Sequence, residues 1–252
     1  MSRHSKWSKI KRAKGAADVK KGAVFTKLGR AIAIAAREKG ADMSTNFKLR
    51  LAVDAAKAAS MPKENIERAI ARASGKEEAG ELFEVTYEGI GPGGVAIMID
   101  AVTDNKNRTS GNVKNILAKH GGAMAGANAV AWQFERKGIV IARSEATCGE
   151  RSESTKQSRE DKERMILELI EVGADDIKEE EGGITVVTPF EKLQTVSEFL
   201  VSKNISLEHS GLTWISKNPV TVTSPEDRAK LDELYEALDE DDDVVDVATN
   251  EI

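Results

Sequence analysis

Between Gly75 and Glu81 the spacing of apolar residues changes, and that change constrains the fold more than any single motif. Upstream, apolar side chains recur about every 3.6 residues, the period of an amphipathic helix. Phe25, Leu28, Ile32 and Ala35 share one helical face, and Gly40 follows as a stop. Asn46 is placed to cap a second helix whose inner face is Leu49, Ala52, Val53 and Ala56. Pro62 suits the first turn of a third, with Glu64 and Glu67 near its positive end and Ile66, Ala69, Ile70 and Ala73 along one side. Short helices with small, Ala-rich faces pack closely, so a compact three-helix bundle is expected. "GKEEAGE" (75–81) reads as the linker that leaves it.

Downstream the period is two. Phe83, Val85 and Tyr87 alternate as in a half-buried strand, and "GIGPGG" makes a turn. "VAIMIDAV" (95–102) is almost wholly apolar, as a central strand is. A capped helix runs from "TDNKNRT" to Gly121, and Val130, Trp132 and Phe134 alternate again, predicting another strand. Residues 139–216 then form a series of their own: strand, helix, two strands paired across Gly182-Gly183, helix, strand. That is the ferredoxin-like split pattern. The chain closes with a helix begun by Ser224-Pro225, carrying Leu231, Leu234, Tyr235 and Leu238, and a strand at 244–248.

The strands of 83–135 lack cover on one face until that last helix and strand are added. The expected architecture is therefore α+β and multidomain. An N-terminal three-helix bundle precedes two α/β-sandwich (ferredoxin-like) domains, the third inserted into the second. The expected boundaries are 1–76, then 80–136 with 217–252, then 137–216 as the insert.

Charge follows the same division. Residues 1–72 hold 18 Lys/Arg and 6 Asp/Glu, a net of +12, whereas 73–252 carry a net of −17, for −5 in all. Such segregation points to a basic binding module on an acidic body. The alternative is a solvated basic surface. The single Cys148 has no partner for an intramolecular disulfide, and no apolar run is long enough to span a bilayer, so a cytoplasmic location away from membranes is expected.

Chemistry-bearing motifs are few. Gly89, Gly91 and Gly94 satisfy G-x-G-x-x-G, but the motif leads into a strand rather than a helix, so a hairpin turn is the better reading. His4, His120 and His209 are far apart. No Ser-His-Asp elbow, P-loop or zinc spacing occurs, and neither an enzymatic activity nor a cofactor or metal is expected. "DEDDD" (239–243) lacks the glycine and spacing of a calcium loop and reads as a solvated turn.

The candidate nucleic-acid contacts are Lys6, Lys9, Lys11, Arg12, Lys14, Lys20, Lys21, Lys27 and Arg30, each able to neutralise a phosphate and release counterions. Trp7 has two readings, a base-stacking or wedging side chain and an anchor into the bundle. Lys106 and Arg108 stand beside the start of a helix, where free N–H groups attract anions; the alternative there is an ordinary capped turn.

Five blocks in order carry a resemblance: "HSKW..IK" (4–11), "FTKLGR" (25–30), "LRLAVDAAKAASMPKENIERAI" (49–70), "YEGIGPGGVA" (87–96) and "TDNKNRT" (103–109). Together they closely resemble the YebC/PmpR family of probable transcriptional regulators, which includes the mitochondrial translational activator of cytochrome oxidase subunit I. The resemblance implies a helical domain followed by two α/β domains, a cytoplasmic location and DNA-binding regulation of transcription. It also implies, as the alternative, a translation factor acting on the ribosome or on messenger RNA and relieving stalling. Ala31 and Ser60 depart from the family pattern, where an acidic residue and an Asn are usual. The expected partner is thus nucleic acid, either promoter DNA or ribosomal or messenger RNA.

Overall fold

The computed structural model describes residues 19–73, 82–143, 156–180 and 183–252. Cys148, the 75–81 linker and the first eighteen residues lie outside them. The described chain forms α1 (Val19–Lys39), α2 (Phe47–Ala58), α3 (Lys63–Ala73), β1 (Phe83–Ile90), β2 (Ala96–Thr103), α4 (Lys106–Lys119) and β3 (Ala123–Met124). It continues as β4 (Phe134–Arg143), α5 (Lys156–Val172), β5 (Asp176–Glu180), β6 (Gly183–Thr188), α6 (Leu193–Ser202), β7 (Ser206–Ser216), α7 (Pro225–Glu240) and β8 (Val244–Thr249).

Two units result, one holding the chain to Glu135 with Trp214–Ile252, the other Arg136–Thr213. In the first, α1 lies along both α2 and α3. Ile32, Leu49, Val53, Ala56, Ile66 and Ala69 fill the space between them. Asn46 is wholly buried and serves two helices at once. Its side-chain oxygen accepts the Leu49 N–H at 3.0 Å, capping α2. Its amide nitrogen donates to the carbonyls of Ala35 (2.7 Å) and Gly40 (2.8 Å), satisfying the end of α1.

The sheet of this unit has the order β3-β1-β2-β8, all antiparallel. β2 is central, as its apolar run requires, and β1 pairs with it from Phe83↔Thr103 to Ile90↔Ala96. The turn between them holds Gly93 at φ 69° and Gly94 at φ 75°, a region that only glycine enters freely, so the glycine motif is a hairpin device. Leu231, Leu234 and Leu238 of α7 and Val113 and Leu117 of α4 cover one face of the sheet, all fully buried. Burial of each such side chain stabilises by about 1.5–3 kcal/mol.

One sequence expectation fails here. Residues 131–133 form a single 3-10 turn rather than a strand, and the fourth strand is the two-residue β3. The alternation at 130, 132 and 134 arose because Val130 and Phe134 both enter the core under Ala96 and Met98 while Trp132 between them is 65% exposed. The turn is held by Glu88, whose carboxylate accepts the N–H groups of Asn128 (2.6 Å), Val130 (2.8 Å) and Ala131 (2.9 Å). Burial alone would raise the Glu88 carboxyl, but these backbone donors outweigh it and hold it below its usual range.

The second unit is inserted into the first. Its sheet order, β5-β6-β4-β7, is that of a ferredoxin-like fold. β5 and β6 form a hairpin from Asp176↔Val187 to Glu180↔Gly183, and β4 pairs with β6 from Gly138↔Thr188 to Ala142↔Ile184. Leu169, Val196 and Leu200 of its two helices are wholly buried, as are Val140 and Val186.

Candidate nucleic-acid interface

The acidic run 239–243 is exposed at Asp239, Glu240 and Asp242, as its composition predicts, but not at its last residue. It joins α7 to β8, and Asp243 is 3% exposed. A carboxylate at that depth needs compensating donors, and the structure supplies them from three elements. Arg30 of α1 donates through Nη1 to Asp243 Oδ1 at 2.6 Å. Arg108 of α4 donates through Nη2 to Asp243 Oδ2 at 3.0 Å. The Thr109 hydroxyl donates to the same oxygen at 2.6 Å, and lies 2.7 Å from the Thr103 hydroxyl at the end of β2. Thr103 in turn accepts the Asn105 N–H at 2.9 Å. Burial pushes the Asp243 carboxyl up, but Thr109, Arg108 and Arg30 together hold it below the usual carboxylate range.

The same turn collects α1's other nearby cation. Arg30 Nη1 also meets the carbonyl oxygens of Asp242 (2.6 Å) and Val102 (3.3 Å). Lys27, one turn earlier, donates to the carbonyl oxygen of Asp239, and its ammonium lies 3.7 Å from the Asp239 carboxylate. Burial depresses the Lys27 ammonium, against the pull of Asp239, Asp241 and Asp242. Two carboxylates, Asp243 on Arg30 and Asp239 beside Lys27, together with three backbone carbonyl oxygens thus occupy the two cations.

At the start of α4 the residues are already engaged. The Asn105 side chain caps the helix by accepting the Arg108 N–H at 3.1 Å. Arg108 Nη2 also donates to Asp104 at 2.7 Å, and hydrogen bonds to Asp243 and Asp104 raise its pKa above the ordinary guanidinium value. Lys106 points elsewhere, its ammonium 4.2 Å from the centre of the Phe83 ring. Of the sequence candidates, Lys27, Arg30 and Arg108 therefore converge on one acidic turn. Lys20 and Lys21 lie on α1, with side chains outside the described residues; Lys6, Trp7, Lys9, Lys11, Arg12 and Lys14 precede the described chain.

Sequence reasoning missed Asp243 as the centre of this cluster. One signal was available: it is the last acid before the apolar "VV" of β8, at the depth where that strand enters the core. The bundle also presents cations that are not drawn inward. Lys57 and Lys63 have side chains 62% and 88% exposed, in solvated pairs with Asp54 (3.2 Å) and Glu67 (3.5 Å), and Arg68 and Arg72 are exposed on α3. α2 and α3 are joined by four residues, among them Ser60 at φ 61°. Among the described residues, no group of three or more His, Cys, Asp or Glu is placed to hold a metal ion, and no helix is long and apolar enough to cross a membrane.

A basic three-helix bundle, an α+β domain completed by α7 and β8, and a ferredoxin-like domain spliced into it define a three-part architecture. The chain belongs to the TACO1/YebC family. Residues 5–76 match the family model described as the TACO1/YebC protein N-terminal domain, and residues 82–251 match that of the TACO1/YebC second and third domain. It is 43% identical over 244 residues to a probable transcriptional regulatory protein of Dictyoglomus turgidum, covering 97% of this chain and 93% of that one. It is likewise 43% identical over 250 residues to a protein of that description in Thermotoga maritima, covering 99% and 93%. Among solved structures it is similar to a conserved hypothetical protein of Aquifex aeolicus, with a TM-score of 0.81 at 38% identity over 93% of this chain and 91% of that one.

Proposed function

We propose that this protein is a DNA-binding transcriptional regulator that grips the nucleic-acid backbone through its basic N-terminal helical domain and acts in the cytoplasm without catalysing a reaction. The observation that carries this reading is the charge division, +12 over residues 1–72 against −17 over the rest. Solubility alone asks for no such division, whereas a polyanion partner does. The exposed Lys57, Lys63, Arg68 and Arg72 beside a helix–short turn–helix give that charge a rigid face. Relatives described as probable transcriptional regulatory proteins support the same reading. Lys6, Lys9, Lys11, Arg12, Lys14, Lys20 and Lys21 supply phosphate contacts ahead of that face, with Trp7 among them.

One observation favours a second reading, a ribosome- or messenger-RNA-associated translation factor. In the first thirty residues seven cations are Lys and only three are Arg. Lys is a point charge suited to backbone contacts, whereas Arg reads guanine edges in pairs of hydrogen bonds. Crosslinking in cells, followed by sequencing of bound DNA and bound RNA together, separates the two. Promoter DNA is the expected enrichment, and reads dominated by ribosomal RNA overturn it in favour of the second reading. In vitro, replacing Lys9, Lys11, Arg12 and Lys14 by Gln is expected to reduce the log–log salt slope of binding by up to about 3–4, at about 0.9 per phosphate contact. An unchanged slope and affinity on both DNA and RNA removes this segment from the interface.

A further inference from the structure

We infer that the acidic end of α7 and the turn after it, 239–242, are an internal stand-in for nucleic-acid phosphate, covering Lys27 and Arg30 of α1 in the free protein and giving way to the polyanion when it binds. The inference rests on the nucleic-acid reading above and adds a device that regulates it.

Three observations carry it. First, the match is one of like chemistry. Arg30 meets three oxygens, those of Asp243 Oδ1, Asp242 and Val102, and Lys27 meets the carbonyl and carboxylate oxygens of Asp239. A guanidinium and an ammonium one helical turn apart, each facing one carboxylate and the rest backbone carbonyl oxygens, are paired with the kind of acceptors that a phosphodiester backbone offers. Second, the two halves of the contact are unequally committed. Asp243 is buried and held by Thr109 and Arg108 as well as Arg30, so it stays in place when Arg30 leaves. The Asp239 side chain is 50% exposed, and Asp242 is exposed too. The Lys27–Asp239 ion pair, so placed, is weak and screened by salt, so a polyanion can replace it at small cost. Third, the turn carries more charge than anchoring needs. One buried carboxylate holds Arg30 and Arg108, yet Asp239, Glu240, Asp241 and Asp242 precede it. That excess repels phosphate from α1 as long as the turn is seated, so weak non-specific binding is suppressed and only a ligand that also engages the rest of the basic domain displaces it.

The test pairs a binding measurement with a proximity measurement on the full chain. In the triple variant Asp239→Asn, Asp241→Asn and Asp242→Asn, the amide oxygen at 241 keeps an acceptor for the Asp243 N–H, and Asp243 itself is untouched. A control variant, Glu226→Gln, Glu233→Gln and Glu236→Gln, removes equal charge from exposed positions earlier on α7. With a random-sequence DNA duplex and single-stranded RNA of the same sequence as probes, the triple variant is expected to bind about three- to ten-fold more tightly than wild type. Its salt slope is expected to be steeper by about 1, since Lys27 loses the Asp239 carboxylate while Arg30 keeps Asp243 until phosphate displaces it. The control is expected to change affinity by less than half as much. Separately, a carbodiimide should join Lys27 to Asp239 in the free wild-type protein, read by mass spectrometry of the linked peptides, and saturating duplex should abolish that product. Equal gains in the triple and control variants, or a Lys27–Asp239 crosslink that forms undiminished under saturating nucleic acid, overturns the inference while leaving the nucleic-acid reading intact. Failure of wild type and triple variant alike to bind either probe overturns that reading and this inference with it.

Discussion

The two sheets are of equal size, four antiparallel strands each with two helices, yet they are held together differently. Around the first, buried carboxylates join separate elements, in one case across most of the chain. Asp243 bonds to Arg30 across 213 residues and to Thr109 across 134, and the buried Glu251 accepts the Tyr235 hydroxyl at 2.9 Å while pairing with Arg228. Around the second, the buried polar side chains among the described residues are hydroxyls, those of Thr185, Thr188, Ser197 and Thr213, and the core is aliphatic. Every strand and helix of the inserted unit comes from one uninterrupted stretch of chain. The lesson is that the inserted unit is closed in sequence, whereas its host is completed only when the last helix and strand return.

The sharpest way to break that comparison is to cut the chain. A fragment of 137–216 is expected to fold alone with a cooperative melt. A fragment of 81–136 is expected not to fold, because α7 and β8 supply Leu231, Leu234, Leu238, Val244 and Val247 to its core. Circular dichroism of the two fragments decides it, and a cooperative transition in 81–136 would end the claim that the host depends on its C-terminal segment.

A smaller effect sharpens the contrast in polar joints. Asp243→Ala strands Thr103, Thr109 and the inner ends of Arg30 and Arg108 without their acceptor. Removing one partner of a buried ion pair costs about 3–5 kcal/mol, and the low end applies here because Arg108 is half exposed and regains hydration. Chemical denaturation of the full chain measures this, and hydrogen exchange locates it. Protection should fall in α1, α4 and β8 and stay unchanged in β5 and β6.

The smallest expected effect concerns acid. His209 of β7 is desolvated, and its pKa is pushed down to about 4. The folded state therefore holds it neutral while the unfolded chain takes up a proton near pH 6.5. Its contribution is fully present above that value and is lost as pH falls from about 6.5 toward 4, a cost of about 2 kcal/mol by pH 4.5. Asp243 has the opposite chemistry, a carboxyl held low. Its contribution persists through that window and is lost only below the ordinary carboxylate pKa. Hydrogen exchange between pH 7 and 4.5 should show the inserted unit softening first, and His209→Gln should flatten that response. Equal softening of both units would remove His209 as the cause.

Much of this was legible in the sequence because it rests on local signals. Period and caps located the bundle, as Asn46 and Pro62 did, and the Ser224-Pro225 start of α7 was equally plain. The split pattern of 139–216 was legible because its strands and helices follow one another in one uninterrupted stretch of chain. Two features escaped for a shared reason. Trp132 alternates with Val130 and Phe134 as a strand residue does, and only Glu88, some forty residues earlier, bends that stretch into a turn. Asp243 sits in an acidic run that looks solvated until Arg30, Thr103, Arg108 and Thr109 close over it. Long-range polar partners leave no periodic trace, so the site's basic residues could be named while their acidic counterpart could not.

The Gln133 carbonyl accepts the Lys217 N–H at 2.7 Å, so the chain leaves the host domain and returns to it side by side. A gap that narrow is a tight turn's width, and a few residues with glycine would close it. The guest is thus a cassette: it can be lengthened, exchanged or deleted in evolution without re-threading the host.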